Sequence, residues 1–303
     1  MNKTPIHSHA GGVSAGFRCL RPHQWVKNLI VFVPALAGHK LGDMPVLVFD
    51  ARVFVSFCLC ASGTYVINDL ADLSSDRQHP RKKMRPFASG ELSPGFGWVL
   101  GPCLLFGGLM LATGLSGIFA GMLMLYLGLS SCYTLWARRI ELLDVFFLAG
   151  LYTIRLAAGY TAGIAYSAWL LIFSMFVFLS LALLKRYTEL AEQPRGTGGP
   201  IASGRGYRSG DLELVASLGT SCGYLATLVL GLYVNSQQVL LLYKQPMLLL
   251  FVCPLWLYWI SHIWLIAHRG GMHDDPVVFA IRDRTSYIVG LLILLVLWMA
   301  TLE

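Results

Sequence analysis

Long apolar stretches separated by short polar ones run the length of the chain. A helix rising 1.5 Å per residue needs about 17–25 apolar residues to cross a bilayer. Nine stretches approach or reach that length, at about 26–41, 46–67, 96–114, 117–137, 142–163, 167–184, 214–234, 247–267 and 286–302. The first is the weakest, with Lys27 near its start and Pro34 inside it. The third and fourth are separated only by residues 114–117, and together they are too long for one crossing. Backbone polar groups in lipid must be satisfied within the segment, so spans of this kind are helices. The pattern predicts an all-α polytopic membrane protein with nine transmembrane helices. Residues 25–303 form the bundle as a single membrane domain, and residues 1–24 a polar tail that lacks the apolar core of a signal peptide.

Composition agrees with the pattern. Apolar residues make up 56% of the chain and charged residues 13%, with a mean hydropathy of +0.62, where a soluble domain carries about 25% charged residues. The net charge of +7 would suggest nucleic acid in a soluble protein, but its distribution speaks for lipid. Of 23 Lys and Arg, 19 fall on one side of the predicted spans, with Lys40, Arg52 and Lys244 on the other and Arg155 inside a span. The positive-inside rule then puts the N-terminus and the longer loops, about 68–95 and 185–212, on the cytoplasmic side of the membrane. No nucleic-acid partner is expected. The seven cysteines, of which only Cys58 and Cys60 are near neighbours, show no zinc or redox spacing and read as small buried apolar residues.

The chemistry concentrates after the second span. If its helix continues past the membrane, Asn68, Asp72 and Asp76 recur at i, i+4 and i+8, and Asp69 joins the same face. Like charges so placed need a counterion, and oxygen-only ligands suit Mg²⁺, which keeps coordination positions for water and substrate phosphate. Arg77, Arg81, Lys82, Lys83 and Arg85 follow at once. Carboxylates beside cations are what a Mg²⁺–diphosphate complex requires; a solvated loop of mixed charge is the plainer alternative.

The string Asn68-Asp-x-x-Asp-x-x-x-Asp76 resembles the first Asp-rich motif of the UbiA-type membrane prenyltransferase superfamily. Together with Arg21-Pro-His-Gln-Trp-Val-Lys-Asn28 and His79-Pro-Arg-Lys-Lys-Met-Arg-Pro-Phe-Ala-Ser-Gly90, it is similar to the decaprenyl-phosphate phosphoribosyltransferase branch. The resemblance implies a nine-helix bundle with a cytoplasm-facing cavity. It implies Mg²⁺ on Asn68, Asp69, Asp72 and Asp76, and transfer of phosphoribose from phosphoribosyl pyrophosphate (PRPP) to a polyprenyl phosphate, feeding a lipid-linked arabinose donor pathway. Asp69, Asp72 and Lys27 are the expected catalytic residues. Gln24, Lys27, Tyr65, Lys83, Arg85, Arg139 and Asp144 are expected to bind substrate, and the state of oligomerisation is left open.

Prenyl-diphosphate users of the superfamily carry a second DxxxD motif after the sixth span. This chain instead has Leu184-Lys-Arg-Tyr-Thr-Glu-Leu-Ala-Glu192. Lys185 and Arg186 favour a phosphate monoester, with Glu189 beside them as a further substrate-binding candidate. The same two cations would also serve as plain membrane anchors, and Glu189 with Glu192 could hold a metal. Two rival functions remain: a prenyl-diphosphate transferase acting on an aromatic acceptor, and a transporter. Elsewhere, Arg155 should find a polar partner near mid-membrane, His262 reads as a hydrogen-bonded core histidine, and Asp274-Asp275-Pro276 as a turn. The Gly-rich stretch 195–206 reads as a flexible connector.

Overall fold

The computed structural model describes residues 9–80, 82–192, 206–272 and 275–302, and helices with their connecting turns account for them. Two compact units form, one from Met1–Val33 with Leu41–Leu127, the other from Pro34–Lys40 with Gly128–Glu303.

The first unit opens with helix α1 (His9–Cys19), where the sequence suggests only a polar tail. A 3₁₀ run, Pro22–Phe32, follows; the short α2 (Val33–Ala37) starts at Val33 and lies from Pro34 on in the second unit. The first apolar stretch is therefore not one continuous α-helix. Pro34 lacks the N–H that a preceding α-helical turn would need, and the chain takes up α geometry only around it. Next come α3 (Met44–Ala71), α4 (Leu73–Gln78), α5 (Pro94–Thr113) and α6 (Gly117–Leu135), whose residues from Gly128 on belong to the second unit. Ser93 starts α5 by accepting a hydrogen bond from the Phe96 amide at 3.3 Å, with Pro94 pre-set for the first turn.

With 28 residues, α3 is about 42 Å long and outruns a hydrocarbon layer of about 30 Å. It lies close along α5, where a Cβ on Gly108 would stand 2.6 Å from Cys60 Sγ. Phe57 of α3 meets Phe119 and Tyr126 of α6 edge-on, with ring centroids 5.8 and 5.2 Å apart. Toward the C-terminal end of α3, Val66 and Leu70 pack with Cys19 and Phe87 in one apolar cluster. That cluster pins both α1 and the basic segment 82–87 beside the acidic end of α3.

The second unit contains α7 (Leu143–Gly159), α8 (Ala168–Ala191), α9 (Leu212–Val234), α10 (Gln237–Leu242), α11 (Val252–His268), α12 (Pro276–Ala280) and α13 (Arg284–Met299). α8 packs against α7 and α9. Tyr152 stacks on Phe178 at 4.8 Å, and Ser180 donates to the Gly219 carbonyl at 2.7 Å while accepting from Trp264 Nε1 at 3.2 Å. A Cβ on Gly219 would stand 2.2 Å from the Trp264 ring, so glycine is what lets α9 and α11 meet there.

Among the described residues seven helices are long and apolar enough to cross a membrane, and Arg284–Met299 is a shorter apolar one. They correspond to the second to eighth predicted stretches, with α13 at the ninth. Buried Arg155 has local partners: its Nη1 donates to the Leu151 carbonyl at 3.0 Å and its guanidinium lies 5.3 Å over the Tyr152 ring. His262 Nε2 lies 3.4 Å from Asp283 Oδ2. Cys58 and Cys60 are buried, whereas Cys103 and Cys132 are exposed, because they sit on outward faces of their helices rather than on packed ones.

Candidate functional site

The predicted acidic face forms with a break in it. α3 stops at Ala71, Asp72 serves as its C-cap at φ −91° and ψ 7°, and α4 starts at Leu73. Bonds of the i to i−4 type still bridge the break, from the Asp72 amide to the Asn68 carbonyl at 2.9 Å and from the Asp76 amide to the Asp72 carbonyl at 2.8 Å. Arg85 joins Asp69 and Asp76 across the break although the helix is not continuous.

Asp69 and Asp76 are buried, at 3% and 1% exposure. Arg85 Nη1 donates to both, at 2.9 Å to Asp69 Oδ1 and 2.6 Å to Asp76 Oδ2. Arg21 Nη2 donates to the same Asp69 oxygen at 2.6 Å, and its guanidinium lies 4.9 Å over the Tyr65 ring. Arg21 holds this position from a left-handed backbone, φ 53° and ψ 58°, an unusual conformation for a non-glycine residue. Residues three apart eclipse on a 3₁₀ helix, so Gln24 and Lys27 fall in one row along Pro22–Phe32. Lys82 Nζ is 4.0 Å from Asp76 Oδ1, Lys83 is exposed, and Arg81 lies outside the described residues.

With Arg21 and Arg85 seated on the carboxylates, no group of three or more His, Cys, Asp or Glu among the described residues is gathered for a metal ion. The donor set nonetheless fits one. Asp76 Oδ1 is buried without a hydrogen-bond partner, which favours a cation, and half-exposed Asp72 adds an accessible carboxylate. All the oxygens are hard donors of the kind Mg²⁺ takes.

The second unit carries a separate polar cluster. Arg186 is wholly buried: its Nε pairs with Asp144 Oδ2 at 2.6 Å, its Nη1 with the Glu189 carboxylate, and its Nη2 donates to Tyr133 Oη at 3.4 Å. Tyr207 Oη donates to Asp144 Oδ1 at 2.7 Å and accepts from the Leu142 amide at 2.8 Å. Lys185 points to Asp275 instead, Nζ to Oδ2 3.2 Å. Asp275 also caps α12 by accepting from the Val277 amide at 3.1 Å, in keeping with the turn read at Pro276; Asp274 lies outside the described residues. Arg139 is exposed on the 3₁₀ turn Ala137–Arg139. A cavity of about 270 Å³ between α8, α9 and α11, lined by Tyr187, Thr220, Tyr224, Ser261, Trp264 and His268 among others, contains none of the predicted site residues.

Two members of these clusters escape sequence reasoning. Arg21 lies in a motif that the sequence singles out, but its role depends on a positive φ that no local pattern announces. Tyr207 is one aromatic residue beyond a Gly-rich stretch, and only the fold brings it to Asp144.

A model of the UbiA prenyltransferase family matches residues 29–263. An uncharacterized protein of Sinorhizobium fredii, y4nM, is 38% identical over 276 residues, covering 90% of this chain and 53% of that protein. The chain thus spans about half the length of that relative. Decaprenyl-phosphate phosphoribosyltransferase of Mycolicibacterium smegmatis is 33% identical over 212 residues, 68% of this chain and 66% of that enzyme. Among solved structures, a UbiA homolog from Archaeoglobus fulgidus bound to GPP and Mg²⁺ superposes with a TM-score of 0.66 over 95% of this chain and 99% of that one, at 15% identity. That last likeness is one of fold.

Proposed function

The chain belongs to the UbiA prenyltransferase family and is an integral membrane transferase, and from that premise we propose that it moves 5-phosphoribose from PRPP to a polyprenyl phosphate, with release of diphosphate. The observation that carries the proposal is the mixed cluster at the end of α3, where Asp69 and Asp76 share Arg85 and Arg21 reaches Asp69. A donor bearing a phosphate at one end and a diphosphate at the other needs cations as well as a metal. The phosphoribosyltransferase relative supports the same substrate class.

Asn68, Asp69, Asp72 and Asp76 would hold Mg²⁺, which supplies charge neutralisation for the departing diphosphate. Arg85 and Arg21 are shared between carboxylate and substrate, so donor binding draws their donors from Asp69 toward phosphate oxygens. Lys27 and Lys83 take the remaining phosphate charge. A phosphate monoester is already ionised near pH 7, so its oxygen attacks the anomeric carbon without a general base. The residues contribute position and field rather than proton transfer.

One observation favours the prenyl-diphosphate reading. Asp144 and Glu189 surround a single Arg186, and two carboxylates against one cation suit a second metal better than a bare phosphate. Purified protein with Mg²⁺, labelled PRPP and polyprenyl phosphate is expected to put label into the lipid phase. Label that stays in water, with prenyl transfer from a prenyl diphosphate in a parallel reaction, would replace the first reading by the second.

A further inference from the structure

We propose that Tyr207 is a positioning residue, holding Asp144 so that Asp144 in turn fixes the Arg186 guanidinium toward a phosphate-bearing substrate. The substrate class rests on the function proposed above; the geometry does not.

The contacts form an unbroken chain. The Leu142 amide donates to Tyr207 Oη at 2.8 Å, Tyr207 Oη donates to Asp144 Oδ1 at 2.7 Å, and Asp144 Oδ2 lies 2.6 Å from Arg186 Nε. Each Asp144 oxygen therefore has its own task, and the phenol proton fixes which oxygen faces Arg186. Tyr207 is 2% exposed. Burial first, then the hydrogen bond to Asp144, push its phenol above the ordinary tyrosine range, so the hydroxyl keeps its proton and remains a donor.

The backbone around this chain is shaped to make it. Leu142 has φ 61°, a conformation that a residue with a branched side chain rarely adopts, and its amide goes to Tyr207. The Leu142 amide on Tyr207 Oη thus fastens the turn before α7 to the segment leading into α9. Asp144 and Tyr207 are buried beside Arg186, whereas Glu189 retains 29% side-chain exposure against 0% for Arg186 and 1% for Asp144. A phosphate would reach the guanidinium by displacing the Glu189 carboxylate from Nη1, while Asp144 and Tyr207 hold the Nε edge.

Tyr207→Phe removes only the hydroxyl. The test varies each substrate in turn with the full-length purified protein and follows thermal unfolding in the same detergent. The expected result is a KM for polyprenyl phosphate raised about tenfold, the size of one lost hydrogen bond to a charged group, with the KM for PRPP within about twofold of wild type and the unfolding midpoint little changed. Unchanged kinetics in Tyr207→Phe, or equal losses toward both substrates that track a lowered midpoint, would overturn the positioning role. A wild-type protein that transfers no phosphoribose would overturn the functional reading instead. Equilibrium binding of polyprenyl phosphate alone then decides for Tyr207, with weaker binding by Tyr207→Phe expected and equal binding fatal to the proposal.

Discussion

Arg85 donates to Asp69 and Asp76 through one nitrogen, and Arg21 reaches the same Asp69 oxygen, so the three aspartates of the cluster differ in what they do. Asp69 and Asp76 are buried partners of cations, whereas Asp72 is half-exposed at the break between α3 and α4. Asp69→Asn should cost about 1–3 kcal/mol of stability, less than the ~3–5 kcal/mol of a wholly buried pair, because Arg21 and Arg85 keep 23% and 28% side-chain exposure. Asp72→Asn should change stability by no more than about 0.5 kcal/mol while lowering transfer at least about 100-fold, as loss of a charge-stabilising group does. Unfolding in detergent and label transfer, run on both variants, separate the two effects; full turnover by Asp72→Asn would remove it from the metal set. The spacing of Asp69 and Asp76 was enough to read those two as neighbours, since seven residues make about two helical turns, and Arg85 bonds both. The state of Lys185 and Arg186 was not legible. Their partners Asp275, Asp144 and Glu189 include two far away in sequence, and a cation already engaged by carboxylates looks in the sequence like one awaiting a ligand.

Helices were legible where a single period and a long apolar run agreed, as in α3, α5, α6, α8 and α9. The signal failed where backbone chemistry intervened. Between Pro22 and Pro34 the apolar composition persists, but the chain adopts 3₁₀ geometry before the short α2, and hydropathy does not distinguish a 3₁₀ helix from an α-helix. Helix faces were only half legible. In lipid both the packed and the outward faces are apolar, so periodicity does not mark the interface, and small residues do so instead. Gly219 illustrates this, with the Trp264 ring 2.2 Å from where its Cβ would be and Ser180 bonded to its carbonyl. Gly219→Val leaves the hydropathy of α9 intact and yet forces α11 or Trp264 to move. Overpacking of this kind costs about 1–3 kcal/mol, to be read as a lowered unfolding midpoint in detergent. Gly121→Val, at a position where a Cβ meets nothing within 4 Å, should leave the midpoint near wild type. Equal effects from the two would mean that helix propensity, not the α9–α11 contact, sets the loss.

At the scale of the whole molecule the charge distribution makes a claim that helix geometry does not. Of 23 Lys and Arg, 19 fall on one side of the predicted spans. Because cytoplasmic loops retain such residues, loop 185–212 should lie in the cytoplasm and the segment around Gln237 on the opposite side. One added or missing span between them would put both on the same side, which makes the pair a test of span parity. Gln237 is exposed on α10, and Ser203, outside the described residues, falls in the Gly-rich stretch. Single cysteines at each, introduced in a background without the seven native ones, should react with a membrane-impermeant thiol reagent from opposite faces of oriented vesicles. The background itself needs care. Cys19, Cys58 and Cys60 are buried, and Cys60 stands where Gly108 crosses it, so alanine is the replacement that adds no volume to that contact. Labelling of Ser203→Cys only from the cytoplasmic face and of Gln237→Cys only from the other would establish the orientation. Labelling of both from one face would mean an even number of crossings between residues 203 and 237, where the apolar pattern contains one, and the assignment of the acidic cluster to the cytoplasm would fall with it.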